Sequence, residues 1–226
     1  MTVALEVCVE SLEDALTAAR VGAQRVEVCS VLACGGVTPS AGLVELVVER
    51  ARPACVVLVR PRAGDFVFTT GELAQMRRDV ERLRTSGVSG VAVGALTRKG
   101  ELARSALTEL IAAARPLEVV LHRAFDATPD RETALEEAIE LGFDRVLTAG
   151  GAENALAGAR ALADLVARAR GRIAILPGGG VRAAGVARLV RATGVDQVHS
   201  SASAPGRAGR VDPDELEALA AALDVL

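Results

Sequence analysis

The chain has 226 residues, of which 50% are hydrophobic and only 2% aromatic, and it carries a formal net charge of −3. That is enough sequence to bury a sizeable core as one α/β domain over 1–226, built from Val, Leu, Ile and Ala without a disulfide framework. A mildly acidic chain without Trp or Tyr offers neither a basic field nor stacking platforms, which argues against a nucleic-acid partner.

In chain order, a β-branched strand over 4–8 leads into a segment of helical period near 11–21, and a strand over 25–29 into a helix near 39–51. The series continues with strand 55–60 and helix 71–86, strand 90–94 and helix 101–115, strand 118–123 and helix 129–141. It ends with strand 145–148 and helix 153–170, strand 173–177 and helix 181–193, strand 197–200 and helix 213–224. Strict alternation of eight such units predicts a parallel TIM (β/α)8 barrel. An open doubly wound sheet fits less well, because it rarely needs eight even units and the first βα turn lacks GxGxxG. The pairs Thr38-Pro39, Thr128-Pro129 and Asp212-Pro213 read as N-caps followed by proline at the first helical position. Gly22, Gly87, Gly142 and Gly194 read as helix stops. No run approaches the roughly 18 apolar residues of a membrane span, and no basic segment leads into an apolar stretch at the N-terminus, so the expectation is a cytoplasmic protein with no membrane partner.

In such a barrel the strand C-termini and βα loops form the functional face. The period of two turns Glu6 and Cys8 of strand 1, and Glu27 and Cys29 of strand 2, toward the barrel axis. By the same parity Arg60 and Arg62 at the end of strand 3 face the glutamates. The structural alternative is a buried ring of ion pairs. His122 at the end of strand 5, with Arg123 beside it and Asp126 four residues on, occupies the place of a general base or ligand. Asp65 lies in the loop after strand 3, where a turn aspartate is the simpler reading. Gly178, Gly179 and Gly180 after strand 7, with His199, Ser200 and Ser201 at the end of strand 8, could bind an anion through backbone N–H groups and hydroxyls, although tight turns also use glycine. The four cysteines, Cys8, Cys29, Cys34 and Cys55, lack Cys-x-x-Cys spacing and are expected to be reduced thiols. Cys8 and Cys29 could be neighbours across the ladder with Cys34 on the loop above, although buried cysteine often serves only as a small hydrophobe.

Several segments carry a resemblance: Leu5-Glu6-Val7-Cys8, Arg25-Val26-Glu27-Val28-Cys29, Gly35-Gly36-Val37-Thr38-Pro39-Ser40, Arg60-Pro61-Arg62-Ala63-Gly64-Asp65-Phe66, His122-Arg123-Ala124-Phe125-Asp126 and His199-Ser200-Ser201-Ala202. Together they resemble the CutC copper-homeostasis family along nearly the whole chain. The resemblance implies a cytoplasmic, homodimeric TIM barrel that binds Cu(I), with Cys8 and Cys29 as ligands. Where the family often has an acidic residue before Gly-Gly, this chain has Cys34, which reads either as a third thiolate or as a neutral substitute. The residues themselves also support an alternative, an enzyme acting on a small phosphorylated or carboxylated metabolite. In that reading Glu6, Glu27, His122 and Asp126 serve as acid/base groups, and Arg60 and Arg62 orient the anion. A purely structural or interaction barrel ranks third. The partner is thus a metal ion or a small anion.

Overall fold

The computed structural model describes residues 3–203 and 209–226. Eight parallel strands alternate with eight helices: β1 (Ala4–Val9), α1 (Leu12–Arg20), β2 (Arg25–Val28), α2 (Ala41–Arg50), β3 (Ala54–Leu58), α3 (Thr70–Leu83), β4 (Gly90–Val93), α4 (Arg104–Ala114), β5 (Glu118–Leu121), α5 (Arg131–Leu141), β6 (Arg145–Thr148), α6 (Ala159–Ala169), β7 (Ala174–Pro177), α7 (Ala183–Thr193), β8 (Gln197–Ser200) and α8 (Pro213–Asp224). The sheet runs β7-β6-β5-β4-β3-β2-β1-β8, and β7 packs beside β8 to close the barrel. This is the (β/α)8 barrel that the alternation predicts.

Alternation along each strand sorts the core into two layers. Val7, Val9, Val26 and Val28 face outward into the large apolar shell beneath the helices. Cys8, Cys29, Val56, Leu58, Ala92, Val120, Leu147 and Leu176 fill the barrel interior. Branched side chains on both faces of buried parallel strands account for this packing.

Of the three cap-and-proline pairs, Asp212-Pro213 opens α8 as expected, with Asp212 accepting from the backbone of Asp214 and Glu215. The other two are corrected. Helix α2 is capped by Ser40 and α5 by Asp130, so Pro39 and Pro129 sit just outside their helices. The reason is that both threonines are committed elsewhere. Thr38 Oγ1 accepts from the Arg60 N–H at 2.9 Å and donates to the Arg60 carbonyl at 3.1 Å, pinning the loop to the end of β3. Thr128 Oγ1 donates to the Phe125 carbonyl at 2.8 Å. Gly142 and Gly194 terminate α5 and α7 in the left-handed conformation, as a C-terminal glycine should. Helix α6 begins later than its apolar period suggests, after a turn in which Asn154 Oδ1 accepts from the Ala157 N–H at 2.9 Å.

Candidate functional site

The C-terminal ends of the strands enclose a cavity of about 530 Å³ whose wall includes Cys8, Glu27, Arg60, His122, Arg182 and His199. Residues far apart in the chain therefore converge, because each strand delivers its last inward side chain to the same mouth.

One side of the mouth is built by β1, β2 and β8. Glu6 lies level with Arg25 in β2 and with His199 in β8 by register. Its carboxylate takes Arg25 Nε at 2.9 Å and His199 Nδ1 at 2.8 Å, with Arg145 Nη1 at 3.9 Å. Arg145 also pairs with Glu118, and Arg25 reaches Gln197 Oε1 at 2.6 Å. Burial alone would raise the Glu6 pKa, but the His199 hydrogen bond and the charges of His199, Arg25 and Arg145 hold it down at about 2. For His199, burial disfavours the charged ring, yet the Glu6 bond and the fields of Glu27 and Glu6 outweigh it and lift the pKa above its ordinary value. Glu27 is shifted upward, chiefly by burial and then by the neighbouring Glu6 charge, against the pull of His199.

Above this layer Cys8 Sγ lies 3.4 Å from Cys29 Sγ, with both thiols buried. The bond to Cys29, together with burial, pushes the Cys8 thiol well above its usual pKa. Ligand atoms of Cys8, Glu27 and His199 all lie within 4.8 Å of one another. A thiol, an imidazole and a carboxylate form a donor set suited to a soft or borderline metal ion, with Cys29 outside that group but in contact with Cys8. Cys34 is not in this group: it is exposed, and its thiol donates to the Val31 carbonyl at 3.0 Å.

The other side of the mouth comes from the ends of β3, β5 and β7. Arg60 lies just beyond β3, 5% exposed, yet its guanidinium meets no carboxylate among the described residues. It donates instead to the carbonyls of Cys34 at 3.3 Å, Gly36 at 3.0 Å and Gly64 at 2.6 Å, and stacks over Phe66 at 4.8 Å from the ring centroid. The expected contact of both arginines with the glutamates is therefore corrected. Strand β3 ends at Leu58, and Arg62 swings outward to Glu72 at 2.6 Å and Asp65 at 2.9 Å, over Phe68. Asp65 is accordingly a loop partner of Arg62.

His122 directly follows β5 and caps a single 3-10 turn over Arg123–Ala127. Its Nδ1 accepts from the Ala124 N–H at 3.1 Å, and its buried Nε2 has no partner among the described residues. Burial, then the nearby Arg60 charge, pushes its pKa down to about 3, so the ring is neutral and its proton resides on Nε2. Asp126 faces away from His122: it accepts from Thr148 Oγ1, from the N–H groups of Ala149 and Gly151 at 3.0 Å each, and from Arg123 Nε at 2.8 Å. These bonds tie the β5 loop to the β6 loop.

Gly179 and Gly180 line the cavity with positive φ of 94° and 66°, whereas Gly178 packs under Leu147 and His199, where a Cβ would clash. The first turn of α7 already receives a carboxylate, since the Ala183 N–H donates to Glu215 Oε1 at 2.9 Å. Ser200 Oγ is spent on the Val181 carbonyl and the Ala202 N–H, while Ser201 reaches the cavity. Sequence reasoning missed Arg25, Arg145 and Gln197, which sit at strand starts but point into the barrel, and Arg182, which no motif marks.

Fold and site together define a (β/α)8-barrel protein with a polar, thiol-bearing pocket at its C-terminal mouth. Residues 3–204 match the CutC family model, and the chain belongs to the CutC family. The CutC family protein of Agrobacterium fabrum is 46% identical over 200 residues, covering 88% of this chain and 79% of its own. The human copper homeostasis protein cutC homolog is 40% identical over 198 residues, covering 88% and 72%. The crystal structure of the copper homeostasis protein CutC from Streptococcus agalactiae superposes with a TM-score of 0.84 at 32% identity, covering 88% of this chain and 98% of that one. No helix among the described residues is long and apolar enough to cross a membrane.

Proposed function

We propose that this chain binds Cu(I) as cargo through Cys8 and Cys29, with His199 and Glu27 as the adjoining donors. The observation that carries the reading is the pair of buried sulfurs 3.4 Å apart, of which Cys8 lines the cavity. Thiolates select Cu(I) over the hard cations of the cell. The hydrogen bond to Cys29 and burial favour the protonated Cys8 thiol, so loading a cation there releases its proton. Relatives named for copper homeostasis support the same reading. It extends to a reducing, cytoplasmic compartment, where thiols persist, and to a homodimer. Cys34 stays outside the proposed set because its exposed thiol is bonded within its own loop.

The test is an anaerobic Cu(I) titration against a chromophoric chelator. Wild type should take one Cu(I) per chain, and the Cys8→Ser/Cys29→Ser variant should lose affinity by orders of magnitude while Cys34→Ser does not. Equal affinities in wild type and double variant would remove the thiols from the account.

A further inference from the structure

A buried guanidinium without a counter-charge costs several kcal/mol of desolvation that neutral carbonyls offset only in part. Arg60 is such a group, with its Nε lacking a partner among the described residues and its charge met by three carbonyls and the face of Phe66. It shares the cavity wall with a second orphan, His122 Nε2. Because the other ring nitrogen accepts from a backbone N–H, this orphan is a donor. Arg182, on the loop after β7, also lines the cavity; it donates to the Ser203 carbonyl and pairs with no carboxylate among the described residues. The adjacent N–H groups of Gly179 and Gly180 donate to no acceptor among the described residues. Every one of these groups is a donor or a cation. Glu27, the carboxylate that lines the cavity, stands on the other wall, 3.9 Å from His199 Nε2.

We propose that the β3–β5–β7 side of the mouth is a binding site for the oxyanion group, phosphate or carboxylate, of a small metabolite, with Arg60 supplying the countercharge and His122 Nε2–H and Arg182 the hydrogen bonds. The cavity has the volume of a small-molecule site. Its floor of Leu58 and Leu147 suits the apolar part of such a molecule. A neutral histidine donor is useful here because it binds an oxyanion without titrating near neutral pH. The proposed groups lie on the opposite wall of the cavity that Cys8 also lines, and their role does not depend on Cu(I) binding.

The chain has two histidines, His122 and His199, which makes side-chain ¹⁵N NMR of the metal-free protein a direct probe. Inorganic phosphate and, separately, acetate are titrated at fixed ionic strength, with chloride as the control. The Nε2–H resonance of His122 should shift in a saturable way with at least one of the two anions, and whichever acts more strongly identifies the class. Arg182→Gln should weaken that response about tenfold, as loss of one charge-assisted hydrogen bond would, and Cys8→Ser/Cys29→Ser should leave it intact. No saturable shift with either anion, a shift at His199 alone, or a response equal to that of chloride would each overturn the proposal.

Discussion

The two sides of the barrel mouth treat charge in opposite ways. On the β1–β2–β8 side every ion has a partner: Glu6 is held by Arg25 and His199, and the thiols bond each other. On the β3–β5–β7 side Arg60 and His122 are equally buried and keep unmatched donors. A buried network in which each charge meets a counter-charge stabilises the fold, even though Arg145 Nε there has no partner among the described residues. Unmatched donors are a cost to the fold that a bound anion relieves.

The sharpest way to break this contrast is at Glu6. Replacing Glu6 by Leu leaves Arg25 with no carboxylate among the described residues and takes one of Arg145's two, and urea unfolding should register a loss of about 3–5 kcal/mol. A loss below about 1 kcal/mol would mean that the side called closed is not held by its ion pairs.

The acid limb of stability tests the other side. His122 is depressed from 6.5 to about 3 in the folded chain, so between those values the unfolded chain binds a proton that the folded chain refuses. Stability therefore falls as pH drops below 6.5, and this one group should account for about 3 kcal/mol near pH 4. Comparing wild type with His122→Gln over that window isolates the component. Parallel pH profiles would place His122 in contact with water and remove one of the two orphan donors.

A smaller effect is expected at Asp126, which joins the β5 and β6 loops. Asp126→Asn weakens several charge-assisted bonds and should cost about 1–3 kcal/mol by chemical denaturation, without altering the Cu(I) titration. The smallest effect is at Arg62, a surface arginine paired with Glu72 and Asp65. Arg62→Ala should leave both Cu(I) and phosphate responses unchanged, and a changed anion response would return Arg62 to the mouth.

The barrel is legible in the sequence because each strand is a short β-branched run and each helix a distinct apolar period. Parity along those strands also places Glu6, Cys8, Glu27, Cys29, Arg60, His122 and His199 on the inner face. It fails for Arg62 because the strand ends at Leu58 and the period of two has no meaning past Pro61. It fails for Asp126 because His122 bends the chain into a 3-10 turn that carries the carboxylate over to β6. Arg25 and Arg145 escape notice since strand starts are usually structural, and here they are the counter-ions of Glu6. Which charges pair across the barrel depends on register, and a single sequence does not state it.

The central claim concerns what the paired sulfurs hold. X-ray absorption at the copper edge of the Cu(I)-loaded protein should reveal sulfur scatterers from two thiolates, lost in the Cys8→Ser/Cys29→Ser variant. A copper shell made of nitrogen and oxygen alone, unchanged by that substitution, would contradict it.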